Sequence, residues 1–472
     1  MTHRRMVAVA VLAVVAVILV SAAGAWLLIE RKGRGSDEVQ ADAPLRLHLP
    51  VNAEELDQAG VGHALDLARN AGVSEIEAGA VWWYVTREGS PDAYDWAALD
   101  RLVEAAATRR MRVHLQLSGT PDAVHPEVVA TVADADERVW YPPRTPQQLR
   151  QWGRFVEATV AHFKGRVASF EIWNEPNLDT FWRPAPAPAE YAQLLAESYR
   201  SAKRVWPAAS IVFGGLSQND VGFLQHYYSE ARRLFPDAAA QRYFFDVLNV
   251  HPYTDGRSPD ETSPDAVIDG LFGKVDKNFA GLALMKAAMD QNEGGGGSGR
   301  KPIVLGEYGF TTTAIHGVSH VPDSRRAYFL KRAVAVAGGM PFVSGLSWYG
   351  FLPDSATPPH WAITTADGRV GWTYQALVDL AAGGGPTVRL PERSTLHPGD
   401  TPIRPVIEGL DASDIAYTEL YVDGVLQAEA AGPEVLWSPD HDSLVAGRMQ
   451  MVVYTRDRHV WPSDIVDGGA GL

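Results

Sequence analysis

From Leu45 to about residue 384 the chain repeats one pattern of apolar and polar positions. A short apolar run comes first, and a longer stretch follows in which apolar residues recur every three or four positions. The short runs are Leu45–Leu49, Val73–Trp83, Met111–Leu117, Ala168–Trp173, Ser210–Gly215, Phe245–His251, Pro302–Glu307 and Val343–Tyr349. Helical spacing is plain in Ala53–Ala71, Trp96–Arg109, Pro146–Phe163, Ala189–Val205 and Arg325–Ala337. Eight strands, each followed by a helical stretch, predict an α/β fold, a (β/α)8 TIM barrel over residues 44–384. A doubly wound open sheet is the rival, but no Gly-rich phosphate loop follows the first strand.

Within the strands, polar residues alternate with apolar ones. Arg46 and His48 alternate with Leu45, Leu47 and Leu49, and Arg112, His114 and Gln116 with Val113, Leu115 and Leu117. Glu171 and Trp173 alternate with Phe170 and Ile172. The apolar set faces the helices, so the polar set faces into the barrel. Unpaired charges there are costly, which predicts an interior ion-pair ladder among Arg46, Glu75 or Glu77, Arg112 and Glu171.

Gly383-Gly-Gly-Pro386 ends the barrel. Beyond it, short alternating runs at Thr387–Leu390, Pro405–Leu410, Ala416–Val422, Val425–Ala428 and Met449–Thr455 predict a small all-β sandwich domain over residues 385–472. Asp423-Gly424 is a hairpin signal, and Tyr421-Val-Asp-Gly-Val-Leu-Gln427 resembles a hairpin of bacterial immunoglobulin-like domains. At the other end, Met6–Ile29 is an uncharged apolar run, flanked by Arg4 and Arg5 before it and by Glu30, Arg31, Lys32 and Arg34 after it. Its length suits a transmembrane helix. Ala23-Gly24-Ala25 offers the alternative of a cleaved signal peptide, although Trp26-Leu27-Leu28-Ile29 carries the apolar run past that point. Residues 1–30 are thus expected to be a membrane anchor or signal helix and 31–43 a linker. Either reading puts the chain at the cell membrane or outside the cell. The low-complexity segment Gly294–Gly299 precedes the seventh strand and is assigned no function.

Composition narrows the chemistry. The 472 residues contain no cysteine, which excludes disulfides, cysteine nucleophiles and thiolate-held metals. The formal charge is -15, and outside residues 1–35 it becomes -19, from 37 Lys/Arg and 56 Asp/Glu. That balance argues against a nucleic-acid partner. His114, His251, His316 and His320 show no compact ligand spacing, so neither a metal nor another cofactor is expected.

Two strand ends stand out. The fourth strand runs into Phe170-Glu-Ile-Trp-Asn-Glu-Pro-Asn177, and the seventh ends Ile303-Val-Leu-Gly-Glu-Tyr-Gly309. Active sites of such barrels lie at the C-terminal ends of the strands, so Glu175 and Glu307 should face one another across a cleft. Paired carboxylates of that kind suit glycosidic bond cleavage: one protonates the leaving oxygen and the other, ionised, attacks the anomeric carbon.

With Trp173-Asn174-Glu175-Pro176-Asn177 and its continuation Leu178-Asp-Thr-Phe-Trp182, Pro184 and Tyr191, the barrel resembles the retaining glycoside hydrolases of clan A, most closely family 39. The resemblance implies that Glu175 is the acid/base and Glu307 the nucleophile. It implies that Asn174 holds the sugar 2-hydroxyl, His251 adjusts the acid/base, Tyr253 hydrogen-bonds the nucleophile and Trp348 is the platform under the reacting sugar. Gly119-Thr120-Pro121 matches a third-strand "GTP" of the clan. Trp82 and Trp182, with Trp83, Trp140 and Trp361, lie at or after strand ends, where an indole can stack on the C–H face of a pyranose. His114 is placed among the substrate-binding residues. One feature departs from the clan: Ser74–Ala80 lacks the arginine usual near the end of strand two.

These residues predict a retaining β-glycosidase acting on a carbohydrate partner, an oligosaccharide or polysaccharide. The alternatives are a catalytically silent carbohydrate-binding or scaffold protein on the same fold, and a transglycosylase sharing the covalent intermediate. In the C-terminal domain, Trp437 and Trp461 read as core residues before sugar-stacking ones.

Overall fold

The computed structural model describes residues 46–466, apart from 88–89, 295–300, 316–318, 355–356, 366–367, 391–401 and 438–446. The expected anchor or signal helix, the linker, His316 and nearly all of the Gly-rich segment lie outside the described residues. No helix among the described residues is long and apolar enough to cross a membrane.

The barrel is closed and parallel. Its strands are β1 Arg46–Pro50, β2 Glu75–Val81, β3 Arg112–Ser118, β4 Ser169–Ile172, β5 Ile211–Ser217, β6 Val247–His251, β7 Ile303–Tyr308 and β8 Val343–Trp348. They neighbour one another in chain order, and β1 pairs with both β2 and β8. The helices that follow them are α1 Gln58–Asn70, α2 Ala97–Thr108, α3 Pro146–Phe163, α4 Pro188–Val205, α5 Val221–Leu234, α6 Leu282–Glu293, α7 Asp323–Gly338 and α8 Trp372–Ala382. The α3 helix shows why these stretches fold as the sequence predicts. Thr145 and Gln148 form a reciprocal capping box at its start, a contribution of about 1 kcal/mol. Trp152, Phe155, Val156, Val160 and Phe163 then bury one face at helical spacing.

The interior of this barrel is polar and partly open. Small inward residues such as Gly79, Gly306 and Ser347 leave a cavity of about 540 Å³, lined by strand starts (Arg46, Arg112, Pro302) as well as strand ends (Glu307, Tyr349). A TIM barrel core is ordinarily filled by layers of branched apolar side chains. The alternating Arg, His and Glu read from the sequence take their place.

The ion-pair ladder forms only in part. Glu75 accepts from Arg112 Nη1 at 2.9 Å and lies 3.6 Å from Arg46 Nε. Glu171 departs from the expectation: it accepts the backbone N–H of Gly215 at 2.8 Å, and no arginine or lysine pairs with it among the described residues. The arginines sit at strand starts, half exposed, whereas Glu171 is deeper along β4.

The C-terminal region forms a four-stranded antiparallel sheet from β9 Ile415–Val422, β10 Val425–Ala431, β11 Met449–Thr455 and β12 Val460–Pro462, in the order β10-β9-β11-β12. Asp423 and Gly424 turn the β9–β10 hairpin with φ 51° and 79°, the double positive φ of a two-residue hairpin turn. One face of the sheet, through Leu420, Val422 and Met451, packs with Ile403 and Val435 of a two-stranded sheet. The other face packs on the barrel: Tyr421, Val452 and Tyr454 belong to the same continuous core as the barrel residues. Polar contacts from α7 fix the seam. Tyr328 donates to Gln450 at 2.7 Å, Arg325 to Glu419 at 2.6 Å, and Lys331, which also pairs with Asp379 of α8, to the Val460 carbonyl at 2.6 Å.

Candidate active site

Glu175 is delivered by a sharp turn at the end of β4. Trp173 and Glu175 take positive φ, 73° and 38°, conformations that non-glycine residues adopt at a cost and that cluster at functional sites. The turn is held from several sides. Trp173 donates its backbone N–H to Leu117 and its indole N–H to the Phe181 carbonyl at 2.6 Å. Asn177 accepts from the Ser217 N–H and donates to Asp220. The Asn-Glu-Pro-Asn motif therefore clamps the β4 loop to β5 through its last residue.

Glu175, Glu307 and His251 meet at the C-terminal end of the barrel. One carboxylate oxygen from each glutamate and an imidazole nitrogen lie within 4.8 Å of one another. His251 Nδ1 is 3.0 Å from Glu175 Oε1 and 3.6 Å from Glu307 Oε2. Tyr253 donates its hydroxyl to Glu307 Oε2 at 2.8 Å. His251 can occupy this place because Gly215 faces it: a Cβ there would lie 2.0 Å from His251 Nε2.

The electrostatics follow from this packing. Burial alone would depress His251, but the charge of Glu307, the hydrogen bond with Glu175 and the nearby charges of Glu175 and Glu171 raise its pKa to about 9. His251 is then a cation at neutral pH. Burial raises the Glu307 pKa and the charge of Glu175 adds to that; the opposing pull of His251 and the Tyr253 hydrogen bond does not cancel it. Glu171, buried beside the same histidine, is pushed up to about 8, chiefly by burial. His251 thus supplies positive charge beside Glu307, while Glu77, from β2, adds negative charge near it.

Other expected residues are placed as follows. Asn174 is buried beside the pair and accepts from Gln116 at 3.3 Å. Three tryptophans are corrected. Trp82 is fully buried, stacked 5.4 Å from Phe155 and bonded to the Pro91 carbonyl. Trp182 is fully buried between Trp173 and Tyr191 and donates to Glu190. Trp348 is 1% exposed and packs on Tyr308 and Phe310. None of the three lines the cavity. The reason for Trp348 is strand parity: Gly345 and Ser347 are on the inward face of β8, so Trp348 points outward and Tyr349 inward. Tyr349 is the residue the sequence reading missed, and the alternation along β8 would have found it. It meets Tyr253 and Trp361 edge-on, at 6.4 and 5.4 Å between ring centroids, next to Glu307. His114 is also corrected: it lines the cavity but is tied in the N-terminal half of the barrel to Glu75 at 2.8 Å and Ser169 at 2.7 Å.

Histidine spacing along the chain argues against a metal, yet the fold gathers two His/Glu clusters of ligand-like geometry, this one and His48–Glu75–His114. No protein-family model matches the chain. A β-xylosidase of Geobacillus stearothermophilus is 28% identical over 153 residues, 29% of this chain and 28% of that protein; the match thus spans less than a third of the relative's length. A family 39 glycoside hydrolase of Bacteroides cellulosilyticus WH2 superposes with a TM-score of 0.54 at 17% identity, over 85% of this chain and 82% of that one. The chain shares the barrel fold of that hydrolase. A monomeric β-xylosidase of Caulobacter crescentus CB15 has the same architecture, with a TM-score of 0.50 at 15% identity over 87% of this chain and 73% of that one. The clan A resemblance read from the strand ends agrees with these neighbours, and Glu175 and Glu307 lie at the C-terminal ends of the fourth and seventh strands of the barrel.

Proposed function

We propose that this chain is a retaining β-glycosidase that cleaves an oligosaccharide or polysaccharide. The observation that carries the reading is the approach of Glu175 and Glu307 to within 4.8 Å with His251 between them. Retaining enzymes hold their carboxyl groups about 5–5.5 Å apart, whereas inverting ones need about 6.5–9.5 Å to admit a water.

In this reading Glu307 attacks the anomeric carbon while Glu175 gives its proton to the departing glycosidic oxygen, leaving a glycosyl ester on Glu307. Glu175, now ionised, takes a proton from water, and that water breaks the ester and returns Glu307 as a carboxylate. Tyr253 positions the Glu307 oxygen it bonds. His251 stabilises negative charge on whichever glutamate carries it. Asn174 reaches the sugar 2-hydroxyl, and Tyr349 offers the apolar surface beside the nucleophile. The β-xylosidase relative supports a β-linked glycoside as substrate. Met6–Ile29 supports placement at a membrane by an anchor or signal helix.

The test is turnover of a panel of aryl β-glycosides and polysaccharides by the wild-type chain and by Glu307→Gln. Wild-type hydrolysis lost in the variant supports the reading. Equal sugar binding by both, with no hydrolysis by either, contradicts it and favours a binding protein. Glycosyl transfer to an added acceptor in preference to water identifies a transglycosylase.

A further inference from the structure

Below the catalytic pair, in the N-terminal half of the barrel, a second His/Glu cluster lines the same cavity. His48 is the third residue of β1, Glu75 the first of β2 and His114 the third of β3. His114 Nε2 lies 2.8 Å and His48 Nε2 3.1 Å from one atom, Glu75 Oε2. One ligand atom from each of the three residues lies within 4.8 Å of the others. His48 is 4% exposed, and its Nε2 makes no hydrogen bond of acceptable geometry although it is aimed at this point. Room for the ring comes from Gly345 on β8, where a Cβ would lie 2.8 Å from His48 Nε2.

We propose that His48, Glu75 and His114 are the protein ligands of a site for a zinc-class divalent cation. Two imidazole nitrogens and one carboxylate oxygen form a donor set that first-row divalent metals accept. The spacing is that of ligands round one ion. With arms of about 2.0–2.1 Å, neighbouring donors stand about 2.9 Å apart for perpendicular bonds and about 3.3 Å apart for tetrahedral ones. The far side of each ring is also supported. His48 Nδ1 is 3.1 Å from Glu77 Oε1, and His114 Nδ1 is 2.7 Å from Ser169 Oγ. Such outer partners favour the tautomer whose Nε2 lone pair faces the cluster, where a metal would replace the His114 Nε2–Glu75 hydrogen bond. The two rings stack at 4.8 Å with an interplanar angle of 15°, and both Nε2 atoms approach the same Glu75 oxygen. Arg112 and Arg46 approach the other oxygen of Glu75 and leave Oε2 to the ion. Three protein ligands leave coordination positions open toward the cavity, where water completes the shell.

The proposal is independent of the catalytic reading, and so is its test. The full chain, solubilised and stripped with a chelator, is titrated with Zn²⁺ by calorimetry and with Co²⁺ by visible absorption. The expected result is one equivalent bound with a dissociation constant of about micromolar or tighter, ligand-field bands for Co²⁺, and a melting temperature that rises with Zn²⁺. The double variant His48→Gln/His114→Gln is expected to lose all three signals, and Glu307→Gln to keep them. Absence of stoichiometric binding in the wild type, survival of binding in the double variant, or its loss in Glu307→Gln overturns the proposal. If the double variant does not fold, Ser169→Ala decides: affinity weakened about tenfold or more supports the site, and unchanged affinity overturns it.

Discussion

The barrel holds two clusters made from the same two side-chain types in inverse proportion. At the C-terminal end, two carboxylates, Glu175 and Glu307, share one imidazole, His251. In the N-terminal half, two imidazoles, His48 and His114, share one carboxylate, Glu75. Their protonation chemistry is opposite. Glu307 is raised because burial and a second carboxylate outweigh a single cation. Burial works against Glu75 too, but the imidazoles of His114 and His48 hold it well below the ordinary carboxylate range. The two glutamates thus shift in opposite directions according to the hydrogen bonds and charges around them, and burial alone does not decide.

The sharpest way to break this comparison is to remove the carboxylate proposed as nucleophile. Glu307→Gln should lower kcat by about 10⁴ or more, since no other group can form the glycosyl ester. Glu175→Gln should cost about 10²–10⁴, and less on aryl glycosides whose leaving group needs no proton. Steady-state kinetics on one aryl and one alkyl glycoside separate the two roles, and equal losses on both would contradict them.

His251→Asn tests the shared cation. With the opposite charge gone, the Glu307 pKa rises further, so the acid limb of the kcat/KM profile should move to higher pH. In the wild type, activity should fall above about pH 9 as His251 loses its proton, and the variant should lack that limb. A loss of about 10–100-fold at neutral pH is expected, and a pH profile with both limbs in place would remove His251 from the charge account.

Smaller effects separate the cavity aromatics from the core ones. Tyr349→Ala should raise KM by about tenfold, the loss of one stacked aromatic surface, with little change in melting temperature. Trp82→Ala should do the reverse, costing about 3–5 kcal/mol of stability in a urea titration and leaving KM of the folded fraction unchanged. A KM effect from Trp82 would restore it to the substrate site.

Much of this was legible in the sequence because it rests on local periodicity. All eight barrel strands lie within two residues of their apolar runs, and α3 spans the residues its spacing predicts. The meeting of Glu175 and Glu307 was legible because Asn174-Glu175-Pro176 and Gly306-Glu307-Tyr308 sit at strand ends of known order. Three things were not. Trp348 and Tyr349 are adjacent, so telling which one faces the cavity needed strand parity as well as residue type. His48, Glu75 and His114 are brought together by register across three neighbouring strands, which no spacing along the chain reveals. The C-terminal sheet reads as a separate sandwich because its alternation is regular, but both faces are apolar: Leu420 and Met451 on one, Tyr421, Val452 and Tyr454 on the other. A sheet apolar on both faces needs a second partner, and here that partner is α7.

The most direct test of the central claim is the anomeric configuration of the first product released from an aryl β-glycoside the chain cleaves, followed by proton NMR before mutarotation. Double displacement through Glu307 predicts that the β-anomer appears first. If the α-anomer appears first, Glu175 and Glu307 act on a water held between them, and the covalent mechanism is wrong.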